Sequence, residues 1–300
     1  MSSLRRCCAP RFFFLLLVAC LSALLAAPAA RAQSRVECAT VRSTILSRAV
    51  RFCALLPPSY DRDKTRRFAV LYHLHGLGDN EQSLVNWGGW DLVERLREQG
   101  RIGEFLIITP DGARSFYVNS RDGRTRYEDF FIQEFLPAIE QRYRARPGRR
   151  WRGITGISMG GFGAIRFAFK YPYLFGSVSA HSAALVEKPA RSLANDPAMG
   201  LFGSVFGRPL DPVFWERNSP FTLARQGSVL AGLKIYFDCG QEDDYGFEAG
   251  AQALHELLRA RRIPHEFHLY PGRHDWIYFA EHLPASLEFH GQSFPDAPKK

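Results

Sequence analysis

Short apolar runs alternate with amphipathic stretches along most of the chain. The runs are typical of strands buried on both faces, and the stretches between them place apolar side chains at helical spacing. The predicted strands span residues 68–74, 105–109, 151–156, 175–179, 233–238 and 265–270. The predicted helices span residues 91–99, 127–144, 160–170, 247–260 and 276–289. This alternation predicts an α/β fold in which a mainly parallel sheet is covered by helices on both faces.

Two further strand-like stretches, residues 36–45 and 48–56, precede that pattern. A tight turn near Leu46 makes them an antiparallel hairpin at one edge of the sheet and brings Cys38 close to Cys53. In an oxidising compartment this placement predicts a cross-strand disulfide. The alternative is a pair of small buried residues that never bond.

The N-terminal segment, residues 1–32, has the pattern of a secretory signal peptide. Arg5, Arg6 and Arg11 precede an apolar run over residues 12–27, and residues 30–32 supply the small side chains of a cleavage site. As a helix the run would reach about 24 Å, which is short of the roughly 30 Å hydrocarbon core of a bilayer. The sequence therefore predicts export to the periplasm or the extracellular space.

Two other export routes stay open. Residues 17–20 resemble a lipoprotein-processing box, which would anchor the protein at Cys20, and the Arg5-Arg6 pair also occurs in twin-arginine signals. With the secretory signal, which we favour, we expect a signal peptide over residues 1–32, one domain over 33–290 and a flexible tail over 291–300.

Charge and composition exclude several classes of partner. The chain has 39 Lys and Arg residues and 30 Asp and Glu residues, a formal charge of +9. Four of the arginines lie in residues 1–32, a segment that holds no acidic residue, so a chain that begins at Gln33 carries a formal +5. The arginines are scattered among acids and aromatics, which indicates a solvated basic surface rather than a nucleic-acid interface. No zinc-type Cys/His spacing, phosphate loop or dinucleotide fingerprint occurs, so no metal or cofactor is implied.

The sharpest chemical signal is the segment Gly156-Ile157-Ser158-Met159-Gly160. It lies between a predicted strand and a predicted helix, which is the setting of a nucleophile elbow. Its glycines allow a sharp turn that projects Ser158 from the carboxyl end of the sheet, where the helix N-terminus favours an oxyanion. The alternative is a tight strand–helix turn with an ordinary serine.

A serine nucleophile needs a base to take its proton. Among nine histidines, His274 lies in a polar loop after the last predicted strand, from which it can reach the serine. Asp243 follows the preceding strand and is the predicted partner of His274, with Asp244 and Glu242 as alternatives. The order Ser, Asp, His along the chain is that of the α/β-hydrolases.

An acyl-transfer site also needs amide donors for the oxyanion. One predicted donor is the N–H of Met159, directly after Ser158. The other is the N–H of Leu77, in the loop after the first core strand. His75 in the same loop is predicted to be structural.

Substrate contacts are expected from three aromatic residues, Trp87, Trp90 and Tyr117. They are also expected from the long irregular stretch over residues 183–220, because stretches of that length usually form lids or substrate walls. The alternative is that these aromatic side chains belong to the core.

Together these motifs resemble the esterase family of α/β-hydrolases, which includes S-formylglutathione hydrolases, feruloyl esterase domains and the mycolyltransferases of the antigen 85 complex. The resemblance covers nearly all of the chain after residue 32 and depends on residues 56–60, 74–78, 156–161, 238–243 and 272–276. It implies an α/β-hydrolase fold and the same assignments: nucleophile Ser158, acid Asp243, base His274, and oxyanion amides Leu77 and Met159. Arg273 departs from the pattern, since many relatives carry Gly there.

The sequence thus predicts a secreted serine carboxylic-ester hydrolase that acts on a small-molecule or glycan ester through an acyl-enzyme. One alternative is an acyltransferase that passes the same acyl group to an alcohol or a sugar. The other is a non-catalytic secreted carbohydrate-binding protein that keeps the fold. Export argues against the formaldehyde-detoxification role of the cytosolic members of the family.

Overall fold

The computed structural model describes residues 34–188, 197–226 and 230–295. The predictions for residues 1–32, including an anchor at Cys20, lie outside these residues, as do positions 296–300 of the predicted tail. The strands are β1 (Arg35–Ser43), β2 (Arg48–Leu56), β3 (Val70–Leu74), β4 (Leu106–Pro110), β5 (Arg152–Ile157), β6 (Ser177–His181), β7 (Lys234–Gly240) and β8 (Glu266–Tyr270).

These eight strands of the described residues form one sheet in the order β1-β2-β4-β3-β5-β6-β7-β8. The β1–β2 and β2–β4 pairs are antiparallel, and all pairs from β4 to β8 are parallel. The predicted α/β-hydrolase fold, with a mainly parallel sheet and an antiparallel N-terminal hairpin, is confirmed. The carboxyl ends of all the parallel strands therefore lie at the same edge of the sheet, and the predicted catalytic residues follow strands that end there.

The hairpin register places Cys38 directly opposite Cys53. A disulfide joins the two cysteines. This confirms the cross-strand bond predicted from the sequence. The remaining cysteine of the described residues, Cys239, is a free thiol buried in β7.

Helices lie between the strands and cover both faces of the sheet. They are α1 (Ser59–Arg62), α2 (Ser83–Asn86), α3 (Gly89–Glu98), α4 (Tyr127–Phe130), α5 (Leu136–Arg142), α6 (Met159–Lys170), α7 (Pro197–Phe206), α8 (Pro212–Asn218), α9 (Pro220–Arg225), α10 (Phe247–Ala260) and α11 (Trp276–Ser293). A π-helical turn, Phe131–Phe135, joins α4 to α5, so the helix predicted over residues 127–144 is wound less regularly than expected and ends at Arg142.

Two hydrophobic clusters fill the two sides of the sheet, and β3 shows how the sequence divides between them. Val70 and Tyr72 belong to the larger cluster, which includes the aromatic side of α4 and α6. Leu71 belongs to the smaller cluster, with side chains of α3 and α11. Because successive side chains of a strand point to opposite faces, a strand covered on both sides must be apolar throughout.

The sequence pattern indicated an irregular stretch over residues 183–220, but the structure shows helices within it. It contains α7 and α8, and α9 follows directly. The helices α8 and α9 begin at Pro212 and Pro220, and the Asp211 carboxylate accepts hydrogen bonds from the first amides of α8. A capping residue followed by proline is a recognised helix start, so this signal was present in the sequence.

Residues 291–293, which were predicted to be the start of a flexible tail, belong to the last helix instead. Helix α11 continues to Ser293, with Gly291 buried. Phe294 is buried too, and its ring lies 5.4 Å from that of Phe105. The sequence pattern predicted a helix that ends at residue 289, because the last turn, residues 290–293, has no apolar side chain to extend the pattern.

Candidate active site

Ser158 forms the turn between β5 and α6. Its backbone has φ 55° and ψ −117°, a conformation that is costly for any residue except glycine and is found mostly at functional turns. Its N–H donates to the carbonyl of His181, and its own carbonyl accepts from Phe162 and Ala184. Helix α6 begins at the next residue, Met159, so the positive end of the helix dipole lies at the serine.

The glycines around Ser158 are required by close contacts. A Cβ on Gly160 would lie 2.0 Å from the carbonyl oxygen of Leu74, and a Cβ on Gly156 would lie 2.3 Å from the backbone of Gly160. Strand β3, strand β5 and helix α6 therefore approach more closely than any side chain allows. The pentapeptide motif follows from this steric requirement.

His274 lies in the loop after β8, and its side chain is hydrogen-bonded to Asp243. The distance from Nδ1 to Asp243 Oδ2 is 2.7 Å. Because the carboxylate has no hydrogen to donate, the proton of this bond belongs to Nδ1, and Nε2 of the neutral ring is left with its lone pair. The Asp243 side chain is completely buried, and that of His274 is 8% exposed.

Three aromatic rings hold the His274 imidazole in place. The centroid of the imidazole lies 4.8 Å from Tyr245, 5.6 Å from Phe247 and 5.4 Å from Phe279, each in an edge-to-face arrangement. These contacts fix the ring plane and exclude water from its sides. The imidazole is thus oriented by packing as well as by its hydrogen bond to Asp243.

The two alternative acids, Asp244 and Glu242, contact the backbone of the histidine loop instead of the imidazole. Asp244 accepts hydrogen bonds from the His274 N–H and from the Arg273 guanidinium, and Glu242 accepts one from the Gly272 N–H. The structure thus brings Asp243, and neither neighbour, to the histidine ring. Arg273, the departure from the family pattern, is paired with Asp244 and holds the two loops together.

Ser182 is a buried residue beside Asp243 that the sequence did not single out. Burial opposes ionisation of Asp243, but the His274 ring, the Tyr245 amide and the Ser182 hydroxyl outweigh it and hold the pKa of this carboxyl below its ordinary value. The Ser182 hydroxyl also accepts a hydrogen bond from the Gly240 N–H. Its φ of 38° is unusual for serine, and this backbone strain is a feature that no sequence pattern reports.

His75 supports the loop that carries Leu77. Its Nε2 accepts a hydrogen bond from the Gly112 N–H, so Nδ1 carries the proton and donates to the carbonyl of Gly76. Burial lowers the pKa of His75, which keeps the ring in this neutral form. These contacts agree with the structural role expected for His75.

A cavity of about 240 Å³ is lined by most of the residues that the sequence predicts to take part in catalysis. Ser158 and His274 both line it, and so do Leu77 and Met159, the two predicted oxyanion donors. The rest of its wall is mostly aromatic or aliphatic, with one carboxylate: Gly76, Asp79, Phe116, Ile157, Ala184, Phe202, Tyr245, Phe247 and Phe279. The cavity therefore presents a serine hydroxyl and an imidazole inside a largely apolar pocket.

The three aromatic residues expected to contact substrate do not line this cavity. Tyr117 is completely buried, and its hydroxyl donates to the carbonyl of His75, so it is a core residue. Trp90 packs against the smaller hydrophobic cluster. Trp87 is 53% exposed and lies against Trp276 on the surface. Phe202 and Ala184, which do line the cavity, come from the stretch over residues 183–220 in which substrate contacts were expected. The other wall aromatics were missed, because sequence spacing does not separate aromatic side chains of a cavity wall from those of the core.

Within the part of the chain that the structure describes, no group of three or more His, Cys, Asp and Glu side chains is placed to hold a metal ion. Over the same residues, no helix combines the length and the apolar character needed to cross a membrane.

Comparisons with known sequences match this chain to proteins named as esterases. The family model described as "Putative esterase" matches residues 43–290. An esterase of Mycobacterium tuberculosis is 30% identical over 249 residues, which are 73% of this chain and 51% of that protein. An acetyl esterase of Caldicellulosiruptor saccharolyticus is 24% identical over 262 residues, 82% of this chain and 94% of that protein. The chain thus spans about half the length of the mycobacterial relative.

Solved structures with the same fold cover most of both chains. A ferulic acid esterase superposes with a TM-score of 0.75 at 27% identity, over 87% of this chain and 99% of that one. An S-formylglutathione hydrolase from Agrobacterium tumefaciens gives 0.72 at 19% identity, over 87% and 96% of the two chains, and this likeness is one of fold.

Proposed function

Because the chain belongs to the esterase family of α/β-hydrolases, we propose that it hydrolyses carboxylic esters with Ser158 as nucleophile, His274 as base and Asp243 as acid. The observation that carries this proposal is the 2.7 Å bond between His274 Nδ1 and Asp243 at a cavity that Ser158 also lines. That arrangement leaves Nε2 of His274 as the free base in the cavity.

In the proposed reaction Nε2 of His274 takes the hydroxyl proton of Ser158 as the oxygen attacks the ester carbonyl. The imidazolium that forms is stabilised by the Asp243 carboxylate, which is buried and held ionised by its hydrogen bonds. The ring then returns the proton to the leaving alcohol, and the acyl group stays on Ser158. Water, deprotonated by the same histidine, hydrolyses this acyl-enzyme and restores the serine.

The amides of Leu77 and Met159 are the proposed donors to the oxyanion. Both residues line the cavity beside Ser158, and Met159 is the first residue of α6, where the backbone amides have no helical acceptor. Donors that are fixed before the reaction stabilise the charge of the transition state without reorganisation. The hydrogen bonds of the His75 ring to the backbone of Gly112 and Gly76 hold the Leu77 loop in position.

The acyl group of the substrate is proposed to be short or aromatic. The cavity volume of about 240 Å³ is small, and its wall contains the rings of Phe116, Phe202, Phe247 and Phe279. The matched ferulic acid esterase and acetyl esterase act, by their names, on an aromatic and on a short acyl ester. An apolar wall with aromatic edges favours both kinds of acyl group over a long polar one.

Export is part of the proposal. The Cys38–Cys53 disulfide supports it, since structural disulfides persist in oxidising compartments and are rare in the cytosol. The arginine-flanked apolar run within residues 1–32 is the proposed signal. Substrates would then be small esters or ester groups of glycans outside the cytoplasm.

A panel of p-nitrophenyl esters of increasing chain length, with methyl ferulate and an acetylated sugar, tests the proposed function. We expect turnover of the acetyl or feruloyl esters, and a fall in kcat of about 10⁶ in the Ser158→Ala variant. A loss smaller than tenfold in a folded variant would remove Ser158 from its role. Product analysis in the presence of an alcohol or sugar acceptor separates hydrolysis from acyl transfer.

A further inference from the structure

One carboxylate lies in the otherwise apolar and aromatic wall of the cavity. Asp79 follows the loop that carries Leu77, and its backbone N–H donates to the carbonyl of Gly76. The turn folds its side chain back toward Gly76 and into the cavity wall. No other residue that lines this cavity carries a carboxyl group.

The Asp79 carboxylate lies close to the proposed nucleophile. An ideal Cβ position on Gly76 is 3.3 Å from Asp79 Oδ2 and 3.7 Å from Ser158 Cβ. The carboxylate oxygen and the serine Cβ are therefore at most about 7 Å apart, a separation at which two charges in a partly screened site still interact. When the carbonyl carbon of an ester lies at Ser158 Oγ, the substrate atoms bonded next to that carbon also lie near the Asp79 carboxylate.

The charge of Asp79 has no cationic partner. Within residues 34–188, 197–226 and 230–295, no Lys or Arg nitrogen lies within 4.0 Å of its carboxylate. The cavity wall contributes no Lys or Arg side chain either. Its apolar walls screen the charge less well than bulk water does, so a substrate in the cavity experiences its field directly.

We propose that Asp79 is a specificity-determining residue that selects esters by charge. Esters that are uncharged or cationic near the scissile bond are accepted, and esters that carry a carboxylate or phosphate there are rejected. The proposal rests on the proposed esterase function, because it assumes that the scissile bond lies at Ser158. A substrate anion held within about 7 Å of Asp79 in a partly screened cavity would be disfavoured on the order of tenfold.

The test compares two esters of the same length, p-nitrophenyl butyrate and the mono-p-nitrophenyl ester of succinic acid, which differ by a terminal carboxylate. The quantity measured is the ratio of kcat/KM for the anionic ester to kcat/KM for the neutral one. We expect Asp79→Asn to raise this ratio about tenfold, because the amide keeps the shape of the side chain and removes its charge. Glu98→Gln, which removes a charge on the exposed end of α3, is the matched control and leaves the ratio unchanged.

A second measurement uses the unmodified protein, so that the test does not depend on the folding of a variant. Raising the salt concentration from 0.01 M to 1 M, values chosen to shorten the Debye length from about 30 Å to about 3 Å, should raise the same ratio. In Asp79→Asn the ratio should respond much less to salt.

An unchanged ratio in a folded, active Asp79→Asn variant would overturn the proposal, and so would a ratio in the unmodified protein that does not depend on salt. Failure of the proposed function gives a different result, since neither ester would then be cleaved faster by the unmodified protein than by Ser158→Ala. The two failures are therefore distinguishable.

Discussion

Asp243 and Asp244 are neighbours with the same side chain, yet they contact different parts of the histidine loop. Asp243 is bonded to the His274 ring, whereas Asp244 is bonded to the His274 backbone and to Arg273. Chain order and loop position were enough to name the candidates for nucleophile, base and acid. The choice between two adjacent acids depends on the direction of each side chain, and that direction is set by amides around Asp243, such as that of Tyr245, which belong to the folded loop.

We expect Asp243→Asn to lower kcat by about 10⁴, because an amide neither stabilises the imidazolium nor keeps the Nδ1–H form of the ring. Asp244→Asn is the matched control and should lower kcat less than tenfold, since Asp244 only supports the loop. Steady-state kinetics on one ester, with circular dichroism as a check of folding, measures both. The reverse order of effects would assign the acid to Asp244.

At the scale of elements, periodicity predicted the core strands to within about two residues, because strands covered on both faces must be apolar throughout. It failed for α7, α8 and α9, each of which begins at a proline, with a capping carboxylate at α8, rather than being marked by alternation. It also failed to place Phe116 in the cavity wall, since Phe116 meets Phe202 of the stretch over residues 183–220 only in the folded chain. Local patterns predict elements well and contacts between distant elements poorly.

The close approach of β3, β5 and α6 predicts a sharp difference between two glycine substitutions. Gly160→Ala should lower the free energy of unfolding by more than about 2 kcal/mol, because its Cβ would overlap the Leu74 carbonyl oxygen. Gly291→Ala is the control, since a Cβ there meets Ile102 at an ordinary 3.6 Å, and in a helix the change should be neutral or stabilising by up to about 1 kcal/mol. Urea unfolding measures both. Equal stability of the two variants would contradict this account of the turn.

At the scale of the described molecule, the sheet, the hairpin and the disulfide followed from the sequence, while several buried polar groups did not. His290 on α11 is completely buried and bonded to the hydroxyls of Ser177 and Ser179 on β6. Burial lowers the pKa of His290 to about 3, and burial lowers that of His73 to about 3 as well. An isolated histidine in a helical pattern gives no sign of this, because its partners lie on a distant strand.

These two histidines predict how stability depends on pH. In the folded chain they stay neutral down to about pH 3, whereas in the unfolded chain they bind protons below about pH 6.5. The unfolded state therefore binds more protons between these values, and the free energy of unfolding falls as the pH drops through this range. From pH 7 to pH 5 each histidine should account for a loss of about 2 kcal/mol.

Urea unfolding of the unmodified protein and of His290→Asn at pH 7 and pH 5 measures this effect. The variant is less stable at pH 7, and its further loss on acidification should be smaller by about 2 kcal/mol. The same loss in both proteins would show that His290 is not held neutral in the folded state.

Ser158 is the proposed nucleophile, activated by His274. The most direct test of this proposal is reaction of the protein with a fluorophosphonate, followed by mass spectrometry of the intact chain and of its peptides. We expect one adduct per chain, located on Ser158, with no adduct in Ser158→Ala and a much slower reaction in His274→Gln. Labelling of Ser158→Ala at the rate of the unmodified protein, or no labelling of the folded unmodified protein, would contradict it.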